Sequence, residues 1–157
     1  MARLTKLCIA NRGEIARRII RGARQMGLAT VAVYADPDAH APFVTDADEA
    51  IALGGTTAAE TYLDADKLIA AAQRAGADCV HPGYGFLSEN GAFAEAVIKA
   101  GLVWVGPRPE TIRAMGDKLA AKTLMAKAGV PTLPAVAVES PAQAAQAAAA
   151  GLEYPLL

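Results

Sequence analysis

The sequence predicts an α/β protein in which a parallel sheet is flanked by helices. Short β-branched runs alternate with longer amphipathic ones, which is the rhythm of strands joined by crossover helices. Gly27, Gly76 and Gly101 each follow a helical run and suit the left-handed residue that ends a helix. The 157 residues are 54% hydrophobic and 20% charged, enough to bury a core at about the size of one domain.

The first strand is expected over Leu4–Ala10 and its helix over Gly13–Met26. Further strands are expected at Thr30–Tyr34, Glu49–Leu53, Asp78–His81 and Val103–Gly106. The remaining gaps read as helices at Asp64–Ala75, Glu89–Ala100 and Pro109–Met115. Beyond Met115 the rhythm changes. Lys118–Ala128 reads as a helix ending at Gly129, and VPTLPAVAVES then brings prolines into a strand-like stretch. We therefore expect a boundary near residue 115, dividing the chain into 1–115 and 116–157. Ser140–Ala150 is an alanine-rich helix with Ser140 as cap and Pro141 at its first position, a favoured start. The sequence closes on an apolar run, Tyr154–Leu157, which reads as the beginning of a strand and is expected to be the end of a fragment.

Lys and Arg total 15 against 16 Asp and Glu, so no general electrostatic pull toward nucleic acid or an anionic membrane is implied. Cys8 and Cys79 lie in apolar strand-like runs without metal-ligand spacing and are expected to be buried thiols of a reducing compartment. The start lacks the apolar core of a signal peptide, and no stretch approaches the ~18 apolar residues of a membrane helix. A soluble, cytoplasmic protein is the expectation.

In an open α/β sheet, ligands sit outside the carboxyl ends of the strands. The first strand exit, Ala10-Asn11-Arg12-Gly13-Glu14, sets an amide, a guanidinium and a glycine at a helix start. Arg12 either holds an anion or a carboxylate, or makes a local contact with Glu14 in a structural turn. ANRGEI has one glycine where a dinucleotide fingerprint needs three. Asp36, at the second exit, is placed for a ribose hydroxyl, but without those glycines the dinucleotide reading is weak. No GxxxxGK[ST] phosphate loop occurs.

The fourth exit is the richest, His81-Pro82-Gly83-Tyr84-Gly85-Phe86-Leu87-Ser88-Glu89-Asn90. Two glycines beside an aromatic ring permit close approach of the backbone, and Ser88 is a plausible helix cap. The loop suits a small polar ligand packed against a ring, or is a packed turn covering the end of the sheet. His81 is expected to be a satisfied strand-end imidazole rather than a catalyst. His40 lies in ADPDAHAPFVTDADE, read as a solvated loop without a metal site despite Asp36, Asp38, Asp46 and Asp48. On the first helix, Ile15, Ile19, Gly22 and Met26 share one face and Arg17, Arg21 and Arg24 the other. That basic stripe is a solvated face or a subunit contact.

Taken together, IANRGEIARRIIRGAR, HPGYGFLSEN and VGPRPETIRAMGDKLAAKTLMAKAGVP, with VAVYADPDA and ADEA between them, strongly resemble the biotin carboxylase family over the whole chain. The resemblance implies a Rossmann-like domain followed by the start of an ATP-grasp module. It implies an ATP-dependent ligase in which bicarbonate is activated as carboxyphosphate and its carbon passes to N1 of biotin on a carrier domain. Lys118 matches the lysine of the family's MGDK motif and is expected to contact ATP. Tyr84, Gly85 and Glu89 are expected to line the biotin and bicarbonate pocket. Related members are homodimers that use the first helix, which singles out Arg18 and Arg21. Mg2+ or Mn2+, a biotin carboxyl carrier domain and a carboxyltransferase subunit are implied for the parent enzyme.

The family continues after YPLL with a second ATP-binding lysine, a glycine-rich loop, metal-binding acids and catalytic residues, so the 157 residues alone are expected to be inactive. An acyl-CoA carboxylase is the leading parent, with pyruvate and urea carboxylases sharing this front end. A non-catalytic dimerisation or docking module and another ATP-grasp ligase are the alternatives, and HPGYGFLSEN separates biotin carboxylases from the latter.

Overall fold

The computed structural model describes residues 3–133, 138 and 140–149. Two compact units are distinguished, Met1–Arg113 and Ala114–Leu157. In the first unit β1 (Lys6–Ile9), β2 (Ala29–Tyr34), β3 (Glu49–Ala52), β4 (Cys79–His81) and β5 (Val103–Trp104) form one sheet in the order β3-β2-β1-β4-β5. Every pairing is parallel. The predicted fold class is correct, and each expected strand is present with ends within two residues of those expected.

Alternation along β1 sorts the core into two layers. Leu7 and Ile9 join Ala16, Ile19, Ile20 and Ala23 of α1 (Gly13–Gln25), with Phe43 of α2 (Pro42–Asp46). Cys8 and Ala10 face the opposite way, toward Leu68, Ala71 and Ala72 of α3 (Ala65–Arg74) and Phe93 and Val97 of α4 (Gly91–Lys99). A strand's period of two makes this sorting unavoidable once both faces are covered. It also separates the thiols. Cys8 lies in one layer and Cys79 in the other, both fully buried and free, and burial pushes each thiol up to about 12.

Two aspartates tie neighbouring strands together at the amino end of the sheet. Asp48, just before β3, accepts from the Thr30 amide at 2.8 Å and the Thr30 hydroxyl at 2.6 Å. Asp78, just before β4, accepts from the Thr5 amide at 2.7 Å and hydroxyl at 2.8 Å. These bonds hold Asp48 below the usual carboxylate range, and for Asp78 they outweigh a burial that would raise it.

Three expectations need correction. The stretch around His40 is more than a solvated loop. A 3-10 turn over Asp36–Asp38 and α2 lie within it, and Phe43 is 1% exposed, although His40 itself is exposed. The buried face of α1 is centred on Ala16, Ile20 and Ala23, whereas Met26 is 74% exposed, because it lies past the last helical turn. Helix α4 starts at Gly91 and not at Glu89. Its cap is Asn90, whose side chain accepts from Ala92 and Phe93, in place of Ser88. At its first residue Gly91 packs against the Pro109 carbonyl and Arg113, where a Cβ would lie 3.0 and 2.9 Å from them.

The chain passes from the first unit through α5 (Pro109–Gly116). In the second unit α6 (Lys118–Lys127) is capped by Asp117, and α7 (Pro141–Ala149) starts with Pro141 as expected. Ser140 caps α7, accepting from the Gln143 amide at 3.3 Å. Most of VPTLPAVAVES and the whole of Tyr154–Leu157 lie outside the described residues.

Candidate functional site

In this strand order the chain leaves β1 and β4 toward opposite faces, since α1 and α4 lie in different layers. The crevice between their carboxyl ends is where a doubly wound fold admits a ligand. Here it is filled from within. Asn11, 2% exposed, donates its amide to the carbonyls of Pro82 and Tyr84, both at 2.8 Å, and its Oδ1 accepts from the Arg12 amide at 2.8 Å. Gly83 runs so close that a Cβ would lie 2.8 Å from the Asn11 amide nitrogen. The missing dinucleotide glycines therefore have a structural counterpart. The crevice that a pyrophosphate would enter is a hydrogen-bonded latch.

The latch holds the His81–Asn90 loop in an unusual backbone. Gly83, Gly85 and Phe86 take positive φ of 66°, 68° and 44°, a region that glycine enters freely and phenylalanine rarely. The Gly83 amide donates to His81 Nδ1 at 3.0 Å, and Ser88 donates to the Gly85 carbonyl at 3.0 Å. The Tyr84 hydroxyl donates to Glu14 of α1. The Tyr84 side chain is otherwise outward, 61% exposed. Gly85 stands open, with no heavy atom within 4 Å of the Cβ position, and its amide makes no hydrogen bond among the described residues. Glu89 is exposed on the same loop. The structure thus gathers Tyr84, Gly85 and Glu89 on one segment.

His81 is the satisfied strand-end imidazole that the sequence suggested. Burial holds it below its ordinary value, and Nδ1 must stay unprotonated to accept from Gly83. The sign of the pH effect follows, because the unfolded chain binds this proton at higher pH than the fold does. Stability is full above about pH 6.5 and falls as pH drops through the lower folded value. Asp38 and Asp48, also held low in the fold, add a second loss below about pH 4. A urea midpoint that declines in both windows bears this out, and one unchanged down to about pH 4 contradicts it.

Beside the loop lies a network that sequence reasoning missed. Arg12 donates through Nε to Asp38 Oδ2 at 2.7 Å and through its terminal nitrogen to Oδ1, so Arg12 holds a carboxylate, and not that of Glu14. The Tyr62 hydroxyl donates to the same Asp38 oxygen at 2.6 Å and accepts from the Ala35 amide at 3.0 Å. Bonds from the Arg12 guanidinium, joined by Tyr62, hold the Asp38 carboxyl low against burial, and burial raises the Tyr62 phenol. A cleft of about 350 Å³ opens beside them, walled by Arg12, Asp38, Thr57, Tyr62 and Phe86. Asp36, considered for a ribose, instead accepts from the Gly55 amide at 3.1 Å.

The arginine stripe divides. Arg17 pairs with Asp46 at 2.5 Å, and Arg24 reaches the Asp46 carbonyl and Asp48. Both hold α1 to its own domain. Arg18 and Arg21 are exposed and make no ion pair or hydrogen bond among the described residues. Lys118 belongs to the second unit, exposed in the first turn of α6. The Leu119 and Ala120 amides there are taken by Asp117 at 2.9 and 2.8 Å. No group of three or more His, Cys, Asp or Glu that could hold a metal occurs among the described residues.

Fold and site together define a Rossmann-like α/β domain with a latched crevice, whose exposed loop follows its fourth strand. A family model described as "Biotin carboxylase, N-terminal domain" matches residues 3–112. The chain belongs to the biotin carboxylase family. It is 57% identical over 133 residues to the biotin-dependent acyl-coenzyme A carboxylase alpha3 subunit of Mycobacterium leprae, covering 85% of this chain and 22% of that protein. It is 49% identical over 149 residues to the urea amidolyase of Saccharomyces cerevisiae, covering 95% of this chain and 8% of that protein. The biotin carboxylase domain of a single-chain bacterial carboxylase superposes with a TM-score of 0.86 at 49% identity, over 93% of this chain and 34% of that one. The chain thus spans between a twelfth and a third of the length of these three.

Proposed function

We propose that this chain is the front part of an ATP-dependent biotin carboxylase, in which the His81–Asn90 loop forms one wall of the biotin and bicarbonate pocket. The observation that carries the reading is Gly85, whose amide is unbonded and whose Cβ position is open. It can be approached by a carbonyl or carboxylate oxygen from outside. Tyr84 and Glu89 flank it, and neither reaches into the core. Lys118 contributes one charge to ATP, which with biotin and Mg2+ or Mn2+ supplies the group-transfer chemistry when the remaining residues of the enzyme are present. Residues 1–115 form the Rossmann-like part and 116–157 the start of an ATP-grasp module. The 157 residues alone do not turn over ATP in this reading. The enzyme works in the cytoplasm with a biotin carboxyl carrier domain and a carboxyltransferase subunit, and the likeness to an acyl-CoA carboxylase subunit favours an acyl-CoA acceptor.

Lys118→Ala in the full-length protein raises the KM for ATP by about tenfold or more, the scale of one lost charge-assisted bond, and leaves the KM for biotin in place. An unchanged KM for ATP removes Lys118 from the nucleotide site. A second reading, a dimerisation surface on α1, is favoured by the contrast between the paired Arg17 and Arg24 and the free, exposed Arg18 and Arg21. The two roles are compatible. Light scattering that shows a dimer for the wild type and a monomer for Arg21→Glu supports it.

A further inference from the structure

We propose that Tyr62 is a positioning residue for the His81–Asn90 loop, its buried ring holding Phe86 and, through the left-handed backbone of Phe86, the open amide of Gly85. Its functional half rests on the reading of this loop as a pocket wall.

Phe86 is the sole described residue other than glycine with positive φ. Such a conformation is disfavoured for a residue with a side chain and persists only where the surroundings hold it. The Asn11 latch grips the loop upstream, at Pro82 and Tyr84, and the buried Leu87 anchors it downstream. Between them only the Phe86 ring reaches a fixed partner. It stacks on Tyr62 with centroids 5.2 Å apart and planes 24° from parallel, a geometry that favours aromatic pairs.

The Tyr62 ring is fixed in its turn. It is 3% exposed, its hydroxyl is held between the Ala35 amide and Asp38, and the Arg12 guanidinium lies 5.9 Å above its face. Exits of β1 and β2 therefore bear, through one phenol, on the loop after β4. Tyr62 makes no hydrogen bond or ring contact with Tyr84 or Glu89. Its action on the wall is indirect.

The test is amide hydrogen exchange of this chain, read at Gly83 and Ser88, whose amides are bonded within the loop, with Cys8 and Val31 in the sheet as controls. In Tyr62→Leu and Phe86→Leu the two loop amides exchange about fivefold to tenfold faster relative to the controls, the scale of one aromatic pair. In Tyr62→Phe, which keeps the stacked ring but loses the hydroxyl bonds that fix it, they exchange faster than wild type by less than in Tyr62→Leu. Should Tyr62→Leu fail to fold, Phe86→Leu decides, because it changes a half-exposed ring and leaves the buried hydroxyl bonds intact. Wild-type loop exchange in Phe86→Leu overturns the proposal, as does a rise shared equally by the sheet amides.

The KM for free biotin in the full-length protein separates this inference from the functional reading. A raised KM for biotin with the KM for ATP unchanged in Phe86→Leu supports both. Faster loop exchange with an unchanged KM for biotin supports the positioning role and removes the loop from the biotin pocket.

Discussion

Gly83→Ala is expected to destabilise the first unit by about 2–5 kcal/mol, the sum of a left-handed penalty and an overpacking penalty. Gly83 has a φ of 66°, and a Cβ there would lie 2.8 Å from Asn11 Nδ2 and 3.1 Å from its Cγ. Asn11 cannot yield cheaply. It is buried, and moving it strands the carbonyls of Pro82 and Tyr84, which it satisfies, a costly loss at the buried Pro82 end. The urea midpoint measures the effect. A loss below about 1 kcal/mol, within the range of an ordinary surface change, shows that the latch gives way without cost.

Phe93→Ala should cost about 3–5 kcal/mol, the usual range for emptying a fully buried aromatic site. Phe93 is 2% exposed within the layer that packs α3 and α4 on the sheet. It meets Trp104 edge to face, with centroids 5.5 Å apart at 89°. Trp104 is the single tryptophan of the chain, so its emission reports the loss directly. The spectrum should move toward that of the unfolded chain before the midpoint is reached. A variant with wild-type emission and midpoint would place Phe93 outside the core.

The order of strands and helices was legible because each element repeats its apolar residues over at least one full period. Helix α2 was not. It has five residues and a single deep anchor, Phe43, too short for a period to appear. The face of α1 was misjudged because Ala16 and Ala23, both buried, carry little hydrophobic signal, while Met26 carries much and lies beyond the helix. At the fourth exit Ser88 and Asn90 are both capping types, so residue type alone does not choose between them, and the structure uses Asn90.

The loop itself was visible through its glycines and ring. Its supports were not, since Asn11 meets Pro82 across 71 positions and Tyr62 meets Asp38 across 24. Polar pairs so distant in sequence leave no local pattern. The polar stretch that contains Tyr62 offered a single aromatic residue as a hint. For Arg12 the sequence left an anion, a carboxylate or a local contact with Glu14 open, and the structure supplies Asp38.

ADP release in the presence of bicarbonate, measured with and without free biotin, tests the central claim most directly. The account predicts that biotin stimulates release by the full-length protein and that the 157 residues alone release none. ADP release by those residues alone, or a full-length protein indifferent to biotin, would contradict it.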